Sequence, residues 1–114
     1  MKRDFIQYLS DMLESTNKGI SFVKGFTLSK FREDEKTQFA LIRAIEIIGE
    51  ASKKVPKDVK NEYSEIPWRE VSAMRDKLIH DYFGVNVDVV WKTAKEDLPT
   101  LKKLLKNILK KLDK

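Results

Sequence analysis

The 114-residue chain contains no cysteine, one histidine, four glycines and three prolines. The absence of cysteine excludes a disulfide framework, a thiol nucleophile and a cysteine-zinc site. A single histidine excludes any site that needs two or three imidazoles from one chain. Because glycine and proline are scarce, the chain has few places to turn, which argues against a many-stranded sandwich or barrel and favours a few long helices.

Long apolar runs are also missing. No run approaches the roughly 20 residues that a membrane span needs, and residues 1–5 (MKRDF) lack the apolar region of a signal peptide. We therefore expect a soluble, cytoplasmic protein with no membrane partner. The length is that of one ordinary domain, so residues 1–114 are expected to form a single helical domain.

An excess of one charge sign is confined to the end of the chain. Lys and Arg total 23 and Asp and Glu total 18, which gives a net charge of +5. Residues 101–114 contain six Lys and one Asp, so they carry the whole excess, and residues 1–100 contain 17 charges of each sign. A uniformly basic surface for nucleic acid is therefore not predicted.

In the first half of the chain, apolar residues recur at three- and four-residue steps, the spacing of a helix. The pattern predicts a helix over residues 2–24 that ends at Gly25, and a second helix that begins after a capping Asp34 and continues to about Val55. The second helix has an unusually wide apolar stripe, which includes Phe39. Such a stripe is typical of a central helix that packs on several sides.

The second half predicts two further helices, preceded by a loop over residues 56–66 with room for one helical turn. Pro67 suits the first turn of the third helix. Asp88 is expected to cap a short helical segment, and Pro99 is expected to restart a last helix. The last helix has an unbroken apolar stripe at helical spacing, formed by Leu101, Leu104, Leu105, Ile108, Leu109 and Leu112.

The densest group of chemically capable side chains is residues 74–82, which contain the single histidine. Arg75 offers a permanently charged fork of donors that suits phosphate oxygens. His80 titrates near neutral pH unless its surroundings shift it, as proton transfer at pH 7 requires. Tyr82 has a hydroxyl that can be modified and a ring on which a base can stack. The cluster is therefore a candidate site for phosphodiester chemistry.

Helical geometry qualifies this hypothesis. Arg75 and His80 are separated by roughly 140° around an ideal helix and by about 7.5 Å along it, so they do not converge on a small target by themselves. A twofold dimer that placed two such helices side by side would bring two arginines and two histidines to one groove. A lone histidine near a helix end is more often a surface or capping residue, and Arg75 and Asp76 can be ordinary surface charges.

The segment that ends at Tyr82 has the form R-x-x-x-x-H-x-Y, and in this it resembles the signature of HepT-like toxins in the HEPN superfamily. Other landmarks of the family follow in the same order across about residues 34–105: residues 44–51 (AIEIIGEA), 66–68 (IPW), 90–91 (VW) and 97–99 (DLP). Residues 1–33 contain no landmark that can be matched. The resemblance therefore covers most of the chain.

The resemblance implies an all-α, four- to five-helix up-and-down bundle that forms a homodimer, with a metal-independent ribonuclease site where the two motif-bearing helices meet. It implies that Arg75 and His80 are the catalytic pair and that Asp76 is the polar residue that follows the arginine. Asp81 and, from the second helix, Glu50 are expected to support this site. The implied substrate is RNA, such as a tRNA or an mRNA.

The resemblance also implies a partner. In better-understood relatives, the toxin is encoded beside an MNT-type nucleotidyltransferase antitoxin, which silences it by adding AMP to the motif tyrosine, here Tyr82. The alternative hypothesis is a non-catalytic helical adaptor that binds a nucleotide or docks a nucleotidyltransferase and cuts nothing. If RNA is the substrate, the lysines of the last helix either are solvated or lie near it.

A metal site is the weaker reading of the remaining acidic residues. Glu46 and Glu50 lie four residues apart on the second helix, a spacing that could suggest a ligand pair. Arg43 and Lys53 are better explained as ion-pair partners of these two carboxylates. We therefore expect no metal and no cofactor.

Overall fold

The computed structural model describes the backbone of residues 2–80 and 86–113 and the side chains of residues 5–78 and 86–113. All regular structure in these residues is helical, so the predicted all-α fold is confirmed. The helices are α1 (Lys2–Phe22), α2 (Leu28–Glu33), α3 (Glu35–Lys54), α4 (Lys57–Glu62), α5 (Trp68–His80), α6 (Val87–Lys92) and α7 (Leu98–Leu112), and a π-helical turn (Thr93–Asp97) joins α6 to α7. None of the described helices is both long and apolar enough to cross a membrane.

Helix α3 lies at the centre, as predicted, and contacts α1, α2, α5 and α6. It runs antiparallel to α5, because Gly49 lies against Arg75 and, one turn later in α3, Ser52 contacts Ser72 one turn earlier in α5. The up-and-down arrangement predicted for the long helices is therefore present in this pair.

Helix α1 covers the opposite side of α3 and is also antiparallel to it. Gly19, near the end of α1, packs against Leu41 near the start of α3, whereas Tyr8, near the start of α1, lies under the Lys54 ammonium group at 5.8 Å from the ring centroid. Gly19 also contacts Leu98, the first residue of α7, which packs along α1. The three helices enclose the core.

The core combines the predicted apolar stripes with buried residues outside them, namely Phe31 of α2 and Val59 and Ile66 of the predicted loop. One residue of a predicted stripe is an exception. The largest fully buried apolar side chains are Leu9, Met12, Phe31, Leu41, Ile45, Ile48, Ile66, Leu98, Leu105 and Ile108. Phe39 is the exception, because it is 61% exposed. It lies roughly 160° around α3 from the buried Leu41, so the predicted stripe was too wide at this end of the helix.

Side-chain caps begin both the central helix α3 and the short helix α2 before it. The Asp34 side chain accepts a hydrogen bond from the Thr37 amide at 3.0 Å, which confirms the predicted cap. Before it, the Thr27 hydroxyl accepts a hydrogen bond from the Lys30 amide and begins α2, a helix that the sequence pattern did not predict. Gly25, which has a φ of 80°, makes the turn between α1 and α2, as its predicted role as a stop requires.

The predicted cap of α6 was wrong. Asn86, not Asp88, begins the helix: its side-chain oxygen accepts hydrogen bonds from the Asp88 and Val89 amides at 2.9 and 3.4 Å. Asp88 instead forms a two-bond ion pair with Arg32 of α2, at 2.9 and 2.6 Å. The sequence pattern near Asp88 could not show this, because its partner Arg32 lies 56 residues earlier in the chain.

Pro99 does not restart a helix, contrary to the prediction. The backbone stays helical through the π-helical turn, in which the Leu98 amide donates to the Thr93 carbonyl, five residues earlier. Proline lacks an amide proton and clashes with a regular preceding turn, and a wider π turn accommodates it. The apolar stripe of α7 is nonetheless confirmed, with Leu101, Leu105 and Ile108 buried.

The segment before α5 is more ordered than the predicted loop. It contains α4, whose Val59 side chain is buried. Helix α5 begins at Trp68, one residue after Pro67, and the Trp68 indole donates a hydrogen bond to the Tyr63 carbonyl at 3.1 Å. This bond fixes the start of the helix that carries the motif.

Candidate functional site

The structure describes part of the predicted site. Helix α5 carries the first half of the motif and ends at the backbone of His80. Three of the predicted site residues have described side chains: Glu50, Arg75 and Asp76. Three others lie outside the described side chains: His80, Asp81 and Tyr82. The roles expected for these six residues remain predictions.

Arg75 lies where α3 and α5 come closest. A Cβ atom placed on Gly49 would overlap with the Arg75 Cβ and would lie 3.0 Å from its Cγ and 3.4 Å from its Cα. Only glycine allows this approach, since every other residue carries a Cβ. Glycine costs about 1 kcal/mol relative to alanine in a helix interior, so its use here is explained by the contact. Gly49 therefore fixes the base of the Arg75 side chain.

A pair of serines completes the close contact one turn away. The buried Ser52 hydroxyl donates to the Gly49 carbonyl at 2.8 Å and lies 3.0 Å from the Ser72 hydroxyl. A hydroxyl has one proton, so Ser72 is the donor in the second bond. The bonds satisfy both hydroxyls between the helices and tie α5 to α3 immediately before Arg75.

The charged groups of Lys53, Arg75 and Asp76 meet at the surface beside this contact. The Lys53 ammonium of α3 donates to Asp76 Oδ1 at 2.6 Å, and Arg75 Nη1 lies 3.4 Å from the same oxygen. The hydrogen bond from Lys53, reinforced by the charge of Lys53 and by Arg75, holds the pKa of the Asp76 carboxyl below its usual value. One ionised carboxylate therefore lies between two cations from different helices.

Lys53 does not have the partner that the sequence suggested. It was expected to pair with Glu46 or Glu50, but it lies on the side of α3 that faces α5 and reaches Asp76 instead. The expectation for Arg43 was correct, because its guanidinium lies 3.7 Å from both Glu46 and Glu50.

Glu50 lies on a different surface from the Arg75–Asp76 pair. It lines a shallow groove between α1 and α3 together with its partner Arg43. Its neighbour Gly49 is the residue that contacts Arg75. Arg75 and Asp76 thus lie on one surface of the molecule, and Glu50 lies on another. The supporting role expected for Glu50 remains a prediction.

Sequence reasoning missed two residues of the site. Gly49 carried a signal, since a glycine in the interior of a strongly periodic helix marks a close backbone approach more often than chance. Lys53 carried none, because nothing in its sequence context separates it from the other lysines. The arrangement presents the guanidinium of Arg75, whose side chain is 30% exposed, next to a second cation. Such donors suit phosphate oxygens.

Comparisons with known proteins identify the family of the chain. The family model described as ribonuclease HepT-like matches residues 12–108. A relative from Thermococcus cleftensis, named a probable ribonuclease HepT, is 56% identical over 102 residues, which is 90% of this chain and 93% of the relative. A relative from Methanocaldococcus jannaschii, whose name describes a candidate RNase, is 43% identical over 112 residues, 98% of this chain and 93% of the relative.

A bacterial relative extends the comparison. The protein from Caldanaerobacter subterraneus, whose name also describes a candidate RNase, is 43% identical over 104 residues, 91% of this chain and 93% of the relative. No solved structure matches the chain. The family model covers the motif helix, the central helix and most of α1 and α7, and the chain therefore belongs to the HepT-like ribonuclease family.

Proposed function

We propose that this chain is a metal-independent endoribonuclease that acts as the toxin of a toxin–antitoxin pair with an MNT-type nucleotidyltransferase. The observation that carries the proposal is the position of Arg75: its base is fixed against Gly49, and its guanidinium lies at the surface beside Lys53 and Asp76. Membership of the family and the ribonuclease names of the relatives support the choice of RNA as substrate.

The proposed chemistry needs no metal. A base removes the proton of the 2′-hydroxyl, the 2′ oxygen bonds to the adjacent phosphorus, and the bond from phosphorus to the 5′ oxygen breaks. An acid then protonates the leaving 5′ oxygen, and the products are a 2′,3′-cyclic phosphate and a 5′-hydroxyl end. Two copies of His80 would serve as base and acid, and two copies of Arg75 would stabilise the negative charge of the phosphorane. DNA lacks the nucleophile, so it should resist.

A homodimer is part of the proposal for a geometric reason. Arg75 and His80 of one helix point roughly 140° apart on an ideal helix, so one copy does not surround a single phosphate. Two helices related by a twofold axis would supply both kinds of side chain from each side of one groove. The dimer is therefore the arrangement in which the motif can act on one phosphodiester bond.

Modification of Tyr82 would silence the toxin at the same groove. The antitoxin would transfer AMP from ATP to the Tyr82 hydroxyl and release pyrophosphate. The added group brings bulk and negative charge next to a site that has to bind a polyanion, so it would repel the RNA backbone.

The ribonuclease proposal is tested with purified protein and RNA in the presence of EDTA. We expect cleavage by the wild-type protein, none by His80→Ala or Arg75→Ala, and none of a substrate with a 2′-deoxy nucleotide at the cleaved bond. Arg69→Ala is the matched control, because Arg69 is an exposed arginine of α5 that lies outside the motif. Equal cleavage by His80→Ala, with its melting temperature unchanged, would remove this residue from the mechanism.

The antitoxin proposal is tested by mixing the protein with the cognate nucleotidyltransferase and ATP. Mass spectrometry should find AMP on Tyr82, and Tyr82→Phe should remain unmodified. Modification of Tyr8 or Tyr63 instead would contradict the assignment. A protein that binds the transferase but never cleaves RNA would favour the adaptor hypothesis.

A further inference from the structure

Two arginine–aspartate pairs in this structure differ in a way that bears on the site. Arg32 and Asp88 form a closed pair, in which Nε and Nη2 donate to the two carboxylate oxygens at 2.9 and 2.6 Å. Arg75 and Asp76 share one long contact, 3.4 Å from Nη1 to Oδ1. An arginine in a closed pair has its fork of donors occupied and cannot offer it to a phosphate. The pair in the motif is open.

Arg75 and Asp76 are adjacent on one helix, where neighbouring side chains do not face each other, and Lys53 binds the same carboxylate from α3. Its ammonium group holds Asp76 Oδ1 at 2.6 Å, much closer than the arginine does. Lys53 comes from α3, and it can reach Asp76 because the contact between Gly49 and Arg75 brings the two helices together one turn away. The carboxylate is thus drawn towards α3, away from the guanidinium.

A contribution to folding stability does not explain the Lys53–Asp76 ion pair well. The side chains of Lys53 and Asp76 are 42% and 45% exposed. Ion pairs between exposed side chains contribute little to folding, because water screens them and both side chains lose freedom. Its position directly beside the motif arginine is therefore the more informative property.

We propose that Lys53 is a positioning residue of the ribonuclease site: it restrains the Asp76 carboxylate and so keeps the Arg75 guanidinium open for the RNA phosphate. This inference rests on the proposed function. Without Lys53, the Asp76 carboxylate would be free to approach the Arg75 guanidinium more closely than the present 3.4 Å. That tighter contact would have to break before Arg75 could stabilise the phosphorane, so catalysis would slow.

The test combines kinetics with a measurement that needs no activity. Lys53→Ala should lower kcat about tenfold with a small change in KM, since the defect lies in the placement of a charge used in the transition state. Lys53→Arg should restore most of the activity, because arginine can also hold the carboxylate. In Lys53→Ala, the Asp76 pKa measured by carboxyl NMR should rise towards its usual value.

Asp76→Ala and the double variant separate positioning from direct RNA binding. If Lys53 acts through Asp76, the double variant should match Asp76→Ala within about twofold, because there is no longer a carboxylate to restrain. An equal loss on removing Lys53 in both backgrounds, or a change in KM alone, would show that Lys53 acts independently of Asp76 and would overturn the proposal.

The controls distinguish the possible failures. Lys54→Ala removes the same charge from the next residue, whose ammonium lies over the Tyr8 ring on the α1 side, and should leave activity unchanged. An active wild-type protein with unaffected Lys53→Ala overturns this inference alone. An Asp76 pKa that does not move in Lys53→Ala also overturns it. A folded wild-type protein that fails to cleave RNA overturns the proposed function and this inference with it.

Discussion

The contact between α3 and α5 and the contact between α1 and α7 are both built from long helices, but by opposite means. The first uses small residues, Gly49, Ser52 and Ser72, and its charges are paired across the helices. In the second, α7 supplies bulky buried side chains such as Leu98, which lies against Gly19 of α1. The lysines of α7 form no ion pair with another described residue: Lys102, Lys103, Lys106, Lys110 and Lys111.

This difference separates two roles of a helix contact: placing a functional side chain and stabilising the fold. Small residues let two backbones approach, so any added atom displaces a helix, and here the helix carries the motif. Bulky residues fill volume, so the loss of an atom leaves a cavity but moves no functional group. We therefore expect changes at the first contact to affect catalysis more than folding, and changes at the second to do the reverse.

Gly49→Ala should have the largest effect on activity. The new Cβ would overlap with the Arg75 side chain, so α5 has to move away from α3, and a shift of about 1 Å in a catalytic group costs about a hundredfold in rate. We expect a loss of that order in kcat/KM for RNA cleavage, with a destabilisation of about 1–3 kcal/mol.

Gly19→Ala is the matched control for this change. At Gly19 the new Cβ would lie 2.8 Å from Cδ1 of the fully buried Leu98, so a core side chain has to shift but no motif residue does. Alanine favours the helix by about 1 kcal/mol, which offsets part of this crowding, so activity should stay near the wild-type value. Wild-type cleavage by Gly49→Ala would contradict the role assigned to the close contact.

Leu105→Ala should have the largest effect on stability. The side chain is fully buried, and its removal leaves a cavity beside α1. We expect the free energy of unfolding to fall by about 2–5 kcal/mol, measured by chemical denaturation, while kcat per folded molecule stays the same. Leu104→Ala, a half-buried neighbour in the same helix, should cost less. A loss of kcat in the folded fraction would show that the two contacts are coupled.

Acid should weaken the α3–α5 contact by a small amount, because its ion pair is exposed. The Asp76 pKa is lowered in the folded protein, chiefly by its hydrogen bond from Lys53. Its stabilising contribution is therefore present above the ordinary pKa of about 3.9 and is lost as the pH falls through the lower, folded value. We expect Asp76→Asn to unfold with a shallower pH dependence over this acid range in thermal melts. An unchanged acid profile would argue against the ion pair in solution.

Neutralising the lysines of α7 should have the smallest effect on folding. Lys106→Gln with Lys110→Gln removes two exposed charges that form no described ion pair, so stability should change by less than about 0.5 kcal/mol. Their unpaired positive charge should attract the RNA backbone. We expect the slope of log affinity against log salt to fall by about 1.4 for single-stranded RNA. An unchanged slope would mean that these lysines are only solvated.

The long helices could be predicted from the sequence because their core stripes repeat over several turns. The central helix, its Asp34 cap and the stripe of α7 all follow from local pattern. Short elements were predicted less well: α2 was not predicted and the cap of α6 was misplaced, since each helix has only six residues. Their positions depend on tertiary burial, such as that of Phe31 in α2 and Val90 in α6.

The sequence named candidate residues for the site but not their surroundings. The residue types singled out Arg75, the family resemblance added Asp76, and the roles of both stay predictions. The partner of Lys53 depended on which residues of α5 face α3, and that is decided by the close approach at Gly49. When several opposite charges lie near a side chain in the sequence, tertiary packing decides which of them becomes its partner.

The π-helical turn accommodates one extra residue without ending the helix. A π turn holds one residue more than a regular turn, so the extra residue at Thr93–Asp97 is absorbed where it occurs. Val90 before the turn and Leu101 after it both remain buried. Since Pro99 clashes with a regular preceding turn, deleting the exposed Lys95 should bend the backbone at this point. The wider π turn is thus what lets α6 and α7 continue as one helix.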